Sequence, residues 1–380
     1  MKLGRIRPAQ TAAVALLGAV ALTVAACGPS NQDGGNAGAT DGAAGGEGSS
    51  LSGEIAGAGS SAQENAQNGW IAGFTEANPG VTVSYDPTGS GAGREQFING
   101  SVLFAGSDAA FDEEEVASAA DRRFGGEPLE LPLYISPIAV IYNLPSVTAE
   151  HINLTPEALA GIFAGEITTW NDPAIADANE GVELPDTAVT PVNRSDDSGT
   201  TENFTEYLSA VAPDVWTYGP IETWPISGTV SGAQTSGMID TVTAQEGAIG
   251  YADASRAGDL GTAAIGVGDE FVPYSAEAAA AIVDASPATE DATELRLTIE
   301  LDRDTTESGT YPIVLVSYLL ACSTYDNETD AANVAAYLGY LASSDGQARA
   351  AEPDVAGSAP ISDSLRTEVE AAIAQITTAG

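Results

Sequence analysis

The sequence predicts an α/β fold built around an open sheet. Strand-like apolar segments alternate with segments of helical periodicity along much of the chain. Glycine and hydroxyl residues fill three of the junctions between a strand and the helix that follows it. The region after residue 50 is long enough for one large core or for two linked lobes. Because ligands of open α/β sheets bind at the carboxyl ends of strands, a binding site is expected at these junctions.

The first two units each have the order strand, glycine loop, helix. A strand at residues 54–56 leads into the loop Gly57–Ser61, and Ser61 with Glu64 forms an S-x-x-E pattern that predicts a capping box. Apolar residues then recur at helical spacing as far as Phe74, where an Asn-Pro-Gly sequence ends the helix. The second unit consists of a strand at residues 81–85, a loop at residues 88–93 and a helix through Arg94.

Later elements follow the same logic. Residues 131–142 form a long extended stretch broken by prolines, as expected of a crossing between lobes. Thr155 followed by Pro156 predicts the start of a helix. A strand at residues 189–192 delivers Arg194, and a helix is predicted over residues 201–208. The apolar run that ends in Cys322 predicts a strand with a buried, unreactive thiol.

The N-terminus predicts export. Basic residues precede an apolar run at residues 11–26, so residues 1–26 have the pattern of a secretory signal peptide. The small residues before Cys27 are similar to a bacterial lipobox, which predicts acylation of Cys27 by a chain such as palmitate. Ordinary signal cleavage beside an unmodified cysteine is the alternative. Residues 27–50 are too poor in apolar side chains to fold, and we interpret them as a flexible tether that holds a lipid-anchored domain at a membrane.

The chain is strongly acidic. Its net charge is −42, and loss of residues 1–26 removes Lys2, Arg5 and Arg7 but no acid, so the charge of the mature chain becomes −45. Such a surface should repel nucleic acid and anionic lipid. An anionic ligand would therefore have to be bound by groups at contact distance and not by long-range attraction.

The segment Arg194–Thr201 has the chemistry of a small-oxyanion site. Arg194 offers a planar fork of donors, while Ser198, Thr200 and the N–H groups of a helix start add short-range donors. A structural explanation stays open for each part: a glycine-serine loop can be only a turn and cap, and Arg194 can be only the partner of Asp196. Asp108 taken alone could be a solvated acid or a helix cap.

The residues that enzymes and metal sites need are sparse. His151 is the one histidine, predicted to lie in a surface loop, and Lys2 is the one lysine. The sequence has no G-x-S-x-G elbow and no phosphate loop of the G-x-x-x-x-G-K type. We therefore expect no metal, no cofactor and no enzymatic activity, which leaves an extracellular phosphatase or hydrolase as the weakest hypothesis.

Six ordered motifs give the chain a specific resemblance. They are Gly57–Ser61, Gly89–Gly91, Phe104–Asp108, Ile167–Asp172, Arg194–Thr200 and Gly247–Tyr251. Together they resemble the phosphate-binding proteins of bacterial phosphate ABC transporters, the PstS family. The resemblance implies a two-lobed periplasmic-binding-protein fold of type II, with two chain crossings that form a hinge around a buried cleft. It implies one lobe at residues 51–134 plus 268–380 and the other at residues 135–267, with crossings near Leu133–Ile138 and Ala264–Val267.

The resemblance also implies a set of phosphate-binding residues. They are Ser60, Ser61, Ala62, Ser90, Asp108, Arg194, Ser198, Gly199 and Thr200. Asp196 would hold Arg194 in place. Asp197 stands where the family often has glycine; we assign it no ligand contact, and whether it touches the ligand stays open. Asp108 would act as a selectivity gate, since phosphate near neutral pH carries a proton that it can donate to a carboxylate and sulfate does not.

The implied function is that of an extracytoplasmic solute-binding lipoprotein at the outer face of the cytoplasmic membrane. It would capture inorganic phosphate in the cleft between the lobes and deliver it, as a monomer, to the permease subunits of an ABC transporter. The alternative is a binding protein or sensor for another oxyanion, such as sulfate, molybdate or arsenate. Asp108 favours phosphate or arsenate because it separates protonated from fully ionised ligands.

Overall fold

The computed structural model of the protein describes residues 51–122 and 126–379. The strands are β1 (Gly53–Gly59), β2 (Val81–Asp86), β3 (Phe104–Ser107), β4 (Pro128–Tyr142), β5 (His151–Leu154), β6 (Thr190–Arg194), β7 (Val230–Gly232), β8 (Ala248–Asp253), β9 (Gly261–Val267), β10 (Glu270–Val272), β11 (Val314–Cys322), β12 (Thr324–Tyr325) and β13 (Thr377–Thr378). The helices are α1 (Glu64–Ala77), α2 (Ser90–Ile98), α3 (Glu113–Arg122), α4 (Pro156–Ala164), α5 (Pro173–Ala176), α6 (Gly199–Val211), α7 (Gln234–Ala244), α8 (Ala276–Ala285), α9 (Glu328–Ala342), α10 (Ser344–Ala351) and α11 (Asp363–Ile373), with a 3-10 helix at Ala254–Arg256.

Eleven strands of the described residues form one mixed sheet. Eight of them follow the order β2-β1-β3-β11-β4-β8-β6-β7, and β9 joins β4 to β5 and β10. The pairs β1–β2, β1–β3, β6–β8 and β6–β7 are parallel, whereas β11 and β8 run antiparallel to β4. The predicted alternation of strands and helices around a sheet is therefore confirmed, with antiparallel strands at its centre.

Strand β4 connects the two halves of this sheet. Residues Pro128–Pro137 pair with β11, and residues Ile138–Tyr142 pair with β8. All fifteen residues of β4 are buried. The first predicted crossing, near Leu133–Ile138, thus contains the position at which β4 changes partner.

The second predicted crossing coincides with a strand that pairs within the second half of the sheet. The predicted second crossing, at Ala264–Val267, falls inside β9, which pairs with β5, β10 and the Tyr142 end of β4. The next strand of the sheet that pairs with the first half is β11, which begins at Val314.

Aromatic packing fixes α6 against the second half of the sheet. Phe204 of α6 stacks on Tyr251 of β8 with ring centroids 4.3 Å apart, and Phe163 of α4 meets Phe204 edge-on at 4.8 Å. All three side chains are buried. Because such pairs add stabilisation beyond the buried area, they hold the N-terminus of α6 at the carboxyl end of β6.

Local signals placed several elements correctly. Thr155 caps α4 by accepting a hydrogen bond from the N–H of Ala158 at 3.1 Å, and Gly165 in a left-handed conformation ends the helix. Cys322 ends β11 and is buried, as predicted. His151 differs from its prediction, since it begins β5 and its Nδ1 lies 3.1 Å from Thr262 Oγ1 on β9.

Export and anchoring signals lie outside the described residues. These are the predicted signal peptide at residues 1–26, Cys27 and the tether at residues 27–50. Within the part of the chain that the structure describes, none of the helices is long and apolar enough to cross a membrane.

Candidate anion-binding site

The predicted site residues all lie at one place, where β1, β3 and β6 end and α1, α2 and α6 begin. They are Ser60, Ser61, Ala62, Ser90, Asp108, Arg194, Ser198, Gly199 and Thr200, and every one of them is buried. Residues far apart in the sequence thus converge on a single buried cluster. The convergence of strand ends and helix starts is the arrangement that the glycine loops predicted.

Arg194 ends β6 and is oriented by Asp196. Its Nε donates to Asp196 Oδ1 at 2.9 Å and its Nη2 to Asp196 Oδ2 at 2.5 Å. Nη2 also donates to Ser61 Oγ at 3.2 Å. Only 3% of the Arg194 side chain is exposed. The bidentate pair fixes the plane of the guanidinium, as the sequence predicted for Asp196.

Asp108 follows β3 and receives hydroxyl donors on both carboxylate oxygens. Thr200 Oγ1 donates to Asp108 Oδ2 at 2.8 Å, and Ser317 Oγ donates to Asp108 Oδ1 at 2.5 Å. The backbone carbonyl of Asp108 accepts from the amide of Asn203 at 2.6 Å. Because only 3% of Asp108 is exposed, these donors replace the water that a carboxylate would otherwise bind.

Three serine hydroxyls turn their oxygens toward the protein. Ser90 Oγ accepts from the N–H of Asp108, Ser61 Oγ accepts from the N–H of Thr235, and Ser198 Oγ accepts from the N–H of Thr201. A hydroxyl whose oxygen accepts a hydrogen bond still has its own hydrogen to donate. Ser90 and Ser198 can therefore present O–H donors to an anion. Ser61 Oγ also accepts from Arg194 Nη2, so both of its lone pairs are used, and its own hydrogen is directed to Thr235 Oγ1 at 3.0 Å.

The start of α6 approaches the first half of the sheet closely at Gly199. A methyl group at Gly199 would lie 2.8 Å from the backbone N of Ala109 and 2.9 Å from both Asp108 Cβ and Ser90 Oγ. Glycine is the residue that permits this approach. The N–H groups of the first turn of a helix have no carbonyl partner within the helix, so the start of α6 brings unpaired donors to the cluster.

The first loop is organised differently from its prediction. Helix α1 begins at Glu64, and no side-chain hydrogen bond caps it, so the predicted capping box of Ser61 and Glu64 is wrong. Ser61 Oγ is held instead by Arg194 and Thr235. Ser60 Oγ accepts from the N–H of Ala62 at 3.1 Å, which engages the backbone donor that Ala62 was expected to offer.

A fourth strand-to-helix junction completes the cluster and was missed. The N–H of Gln234 donates to Asp196 Oδ1 at 2.8 Å, and Thr235 contacts Ser61 at the start of α7. Gln234 has φ 60° and is the one non-glycine residue with a positive φ within residues 51–122 and 126–379. Such strain marks functional loops. The segment Ser231–Ser236 carries the glycine and hydroxyl signal of the other loops and could have been found from it.

The side-chain charges of the cluster do not by themselves favour an anion. Asp108 and Asp196 outnumber Arg194, so attraction depends on N–H and O–H dipoles in a buried setting. Tyr251 supports this setting: its hydroxyl accepts from the N–H of Arg194 at 3.3 Å and pairs with Thr201 Oγ1 at 2.8 Å. Burial raises the pKa of Tyr251 to about 12, so the phenol adds no negative charge.

Other candidate residues lie apart from this chemistry. Asp197 is exposed and accepts a hydrogen bond from Thr223 Oγ1. Among the residues described, no group of three or more His, Cys, Asp and Glu side chains could hold a metal ion.

Comparisons with known proteins agree with this arrangement. A family model described as a PBP superfamily domain matches residues 39–345. The phosphate-binding protein PstS2 of Mycobacterium bovis (strain BCG / Pasteur 1173P2) is 34% identical over 370 residues, which cover 95% of this chain and 97% of the relative. The phosphate-binding protein PstS3 of the same strain is 36% identical over 350 residues, which cover 89% of this chain and 90% of the relative.

A solved structure supports the fold. It is that of a high affinity periplasmic phosphate-binding protein (PfluDING) bound with phosphate, with a TM-score of 0.66 and 20% identity. The match covers 84% of this chain and 93% of that protein. The fold is thus the two-lobed α/β fold of periplasmic binding proteins. With this architecture and these relatives, the chain belongs to the PBP superfamily and, within it, to the PstS family of phosphate-binding proteins.

Proposed function

We propose that the protein is an extracytoplasmic solute-binding protein that captures inorganic phosphate in the cluster around Asp108 and Arg194. The observation that carries this proposal is the buried carboxylate of Asp108 within a ring of N–H and O–H donors. A site that binds anions without selectivity would need only hydrogen-bond donors. A carboxylate among them suits an anion that brings its own proton.

Phosphate meets this requirement near neutral pH. Its second pKa is roughly 6 by analogy with phosphoserine, so the bound anion can donate a P–O–H hydrogen bond to Asp108. Sulfate lacks this proton, so one of its oxygens would face the Asp108 carboxylate with no hydrogen between the two acceptors. The penalty for such an unpaired group is about 1 to 3 kcal/mol or more.

The remaining phosphate oxygens would accept hydrogen bonds from the donors of the cluster. We assign to them the O–H groups of Ser90 and Ser198, the first N–H groups of α6 at Gly199 and Thr200, and the Nη1 group of Arg194. Ser61 would act through its hydrogen bond with Nη2 of Arg194. Ser60 and Ala62 would shape the first loop through the hydrogen bond between them. Asp196 would orient Arg194 and would not touch the ligand.

Phosphate would bind between two lobes that close around it. Both halves of the sheet supply groups to the site, since the donor Ser90 and the acceptor Asp108 come from one half and the donors Arg194 and Thr200 from the other. We propose that β4 is one crossing and that the return crossing lies between Val272 and Val314, because β10 still pairs with β9. The lobes would then be residues 51–134 with the C-terminal region and the segment from residue 135 to this return. A ligand that contacts both lobes favours the closed state.

Delivery would take place at a membrane. We propose that Cys27 is acylated, that residues 27–50 tether the domain to the outer face of the cytoplasmic membrane, and that the closed monomer docks on the permease of an ABC transporter. The proposed partners are thus phosphate, the permease subunits and the lipid anchor. The net charge of −45 argues against nucleic acid as a partner.

Other functions have weaker support. Sulfate and molybdate would not satisfy Asp108, whereas arsenate would. A phosphatase or hydrolase would need a base beside a serine. His151, the one histidine, bonds to Thr262 on β9. The relatives are named for phosphate binding and not for catalysis, which supports a protein without enzymatic activity.

Calorimetric titration tests the proposal. Anion-stripped protein should bind one phosphate, and a large excess of sulfate should leave the affinity unchanged. In Asp108→Asn, the amide can donate to a fully ionised anion, so phosphate should bind more weakly and sulfate should begin to compete. Competition by sulfate in the wild type, or equal selectivity in the two proteins, would contradict the assignment of Asp108. No heat with phosphate would contradict the proposed function.

A further inference from the structure

A chain of buried hydrogen bonds leads from Asp108 into the core of its lobe. Ser317 Oγ donates to Asp108 Oδ1 at 2.5 Å, and the Nε2 group of Gln63 donates to Ser317 Oγ at 2.6 Å. Gln67 Nε2 donates to Gln63 Oε1 at 2.8 Å, and the hydroxyl of Tyr337 donates to Gln67 Oε1 at 2.8 Å. Ser317, Gln63, Gln67 and Tyr337 are at most 1% exposed. Four buried side chains thus form a hydrogen-bonded chain that ends at the carboxylate of Asp108.

The direction of this chain is set at Gln63. The Nε2 group of Gln63 also lies 3.4 Å from the backbone carbonyl of Tyr318, which can only accept a hydrogen bond. The amide must therefore turn its nitrogen toward Ser317 and its oxygen toward Gln67. Since Gln63 occupies the oxygen of Ser317 as a donor, the hydroxyl hydrogen of Ser317 is directed to Asp108.

The sheet places Ser317 for this contact. Strands β3 and β11 are antiparallel with Tyr318 opposite Ser107, so continued pairing sets Ser317 opposite Asp108. On its other side, β11 has a register shift against β4: Ser317 pairs with Tyr134 and Tyr318 pairs with Pro132. Irregularities of this kind re-aim side chains beside binding sites.

We propose that Ser317, oriented by Gln63, is a positioning residue that determines the anion selectivity of the site by presenting Asp108 as a hydrogen-bond acceptor. The proposal rests on the proposed function, in which Asp108 accepts the proton of phosphate. An ionised carboxylate with an inward donor on Oδ1 has lone pairs left for a P–O–H group. Without that donor, the Asp108 side chain is held by Thr200 alone, so it can turn away from the ligand to a position where it neither accepts from phosphate nor opposes sulfate.

Several charged or titratable groups lie around Asp108 and enter any pH profile. They are Tyr85 on β2, Arg94 on α2, Tyr134 on β4, Arg194 on β6 and Glu202 on α6. Burial raises the pKa of both Tyr85 and Tyr134 well above the usual value for tyrosine. Nearby negative charges, including that of Asp108, add to this increase. All of these groups are present in the wild type and in the variants below, so a comparison at each pH isolates the hydrogen bond at issue.

The test is the ratio of phosphate affinity to sulfate affinity in Ser317→Ala, measured by calorimetry from about pH 8 to about pH 5, a range that spans the second pKa of phosphate. We expect Ser317→Ala to retain phosphate binding while the ratio falls by about tenfold or more, the scale of one hydrogen bond to a charged group. A general loss of packing would weaken the binding of both anions and leave their ratio unchanged.

A matched pair of variants completes the test. Gln63→Met removes the orienting amide, and it should lower the ratio in the same direction by a smaller factor; it decides the question if Ser317→Ala does not fold. Gln347→Met removes another buried glutamine, whose amide bonds to the backbone carbonyls of Leu133 and Leu341, and it should leave the ratio unchanged.

Two negative results have different meanings. Wild-type protein that binds no phosphate would overturn the proposed function and this inference together. Selective phosphate binding by the wild type, with the same ratio at every pH in Ser317→Ala or, where that variant does not fold, in Gln63→Met, would overturn the inference alone.

Discussion

Glu202 is a partly buried carboxyl group two residues beyond Thr200 on α6. Burial, and after it the negative charge of Glu222, raises the pKa of Glu202 to about 7. Arg94 acts in the opposite direction but does not cancel the burial. The helix start favours a negative charge, so the raised pKa shows that desolvation is the larger effect at this position.

This shift makes the free energy of unfolding depend on pH. The folded protein binds the Glu202 proton more tightly than the unfolded chain does, so stability falls as the pH rises from about 4.5 to about 7 and the penalty is complete above that. In Glu202→Gln the penalty is absent. We expect the variant to be more stable than the wild type by about 3 kcal/mol at pH 8, with a difference that vanishes near pH 4.5.

Urea unfolding of both proteins at several pH values measures this difference. Glu95→Gln, which neutralises an exposed glutamate of α2, controls for the change in net charge. Unfolding curves of the wild type and Glu202→Gln that shift in parallel across the whole range would show that Glu202 has an ordinary pKa.

At the scale of elements, the N-terminus of α6 is the contact on which the anion site depends most directly. Ser198 caps the helix by accepting from the N–H of Thr201 at 3.2 Å, and Thr200 bonds to Asp108. Gly199 allows this helix start to touch the loop after β3 and the start of α2. The helix therefore acts both as a donor of N–H groups and as a wall of the site.

We predict that Gly199→Ala lowers phosphate affinity at least tenfold, a loss of about 1.4 kcal/mol or more. The added methyl group would lie 2.9 Å from Ser90 Oγ and 2.8 Å from the backbone N of Ala109, so α6 must move away from the site. Alanine is a better helix former than glycine, and the helix itself should not be weakened. Calorimetric titration gives the affinity, and thermal unfolding without phosphate gives the stability.

The control for this substitution is Gly339→Ala in α9. A methyl group at Gly339 would have nothing within 4 Å, so this variant should keep the wild-type affinity and equal or exceed the wild-type stability. If Gly199→Ala also keeps the affinity, the close approach of α6 is not required for binding.

The elements that could be predicted from the sequence are those whose signals are local. Glycine and hydroxyl residues beside strand ends pointed to Ser90, Arg194 and the start of α6, because the backbone of a strand-to-helix junction needs those residue types. Asp108 was assigned only through the family resemblance. Ser317 could not be assigned from local signals, since its contact with Asp108 depends on the pairing of β3 with β11 across 209 residues. Its one signal is a hydroxyl within an apolar strand.

Tertiary contacts also override correct local patterns. The S-x-x-E pattern at Ser61 is a typical signal of a helix cap. However, Arg194 and Thr235 both donate to Ser61 Oγ, so this oxygen does not cap α1. The apolar stretch at Ala264–Val267 has the composition of a crossing and of a core strand alike. Its pairing with β5 and β10, which sequence periodicity does not reveal, places it in the second half of the sheet.

At the scale of the whole molecule, the acidic surface leaves closure of the lobes to short-range contacts. One such contact lies beside the anion site. Arg94 of α2 donates to both carboxylate oxygens of Glu222, at 2.8 Å and 2.7 Å, and Glu222 follows α6 in the other half of the molecule. Arg94 also bonds to Glu115 of α3 and, through Nη1, to Ser107 at 3.1 Å. It is 7% exposed.

This ion pair links both sides of the site. Burial lowers the pKa of Arg94, but the hydrogen bonds and charges of Glu222 and Glu115 outweigh it and raise the pKa above its usual value. The backbone carbonyl of Glu222 accepts from the N–H of Ser198, the cap of α6, while Ser107 precedes Asp108. Separation of the lobes would break the contact of Arg94 with Glu222 and leave its contact with Glu115. Under the proposed closure, the pair of Arg94 with Glu222 would form in the closed state alone.

We predict that Glu222→Gln lowers phosphate affinity about tenfold, mainly through faster release, because an interaction of a charged group present only in the closed state contributes about 1.5 to 3 kcal/mol to closure. Stopped-flow dissociation should show the faster release, and small-angle scattering should show a larger mean radius without phosphate but an unchanged radius at saturating phosphate. Glu352→Gln is the matched control, since it removes a half-exposed ion pair with Arg349 near the end of α10, within one lobe. If release from Glu222→Gln is as slow as from Glu352→Gln, the pair of Arg94 and Glu222 does not hold the lobes together, and the contacts of the anion itself must supply the whole free energy of closure.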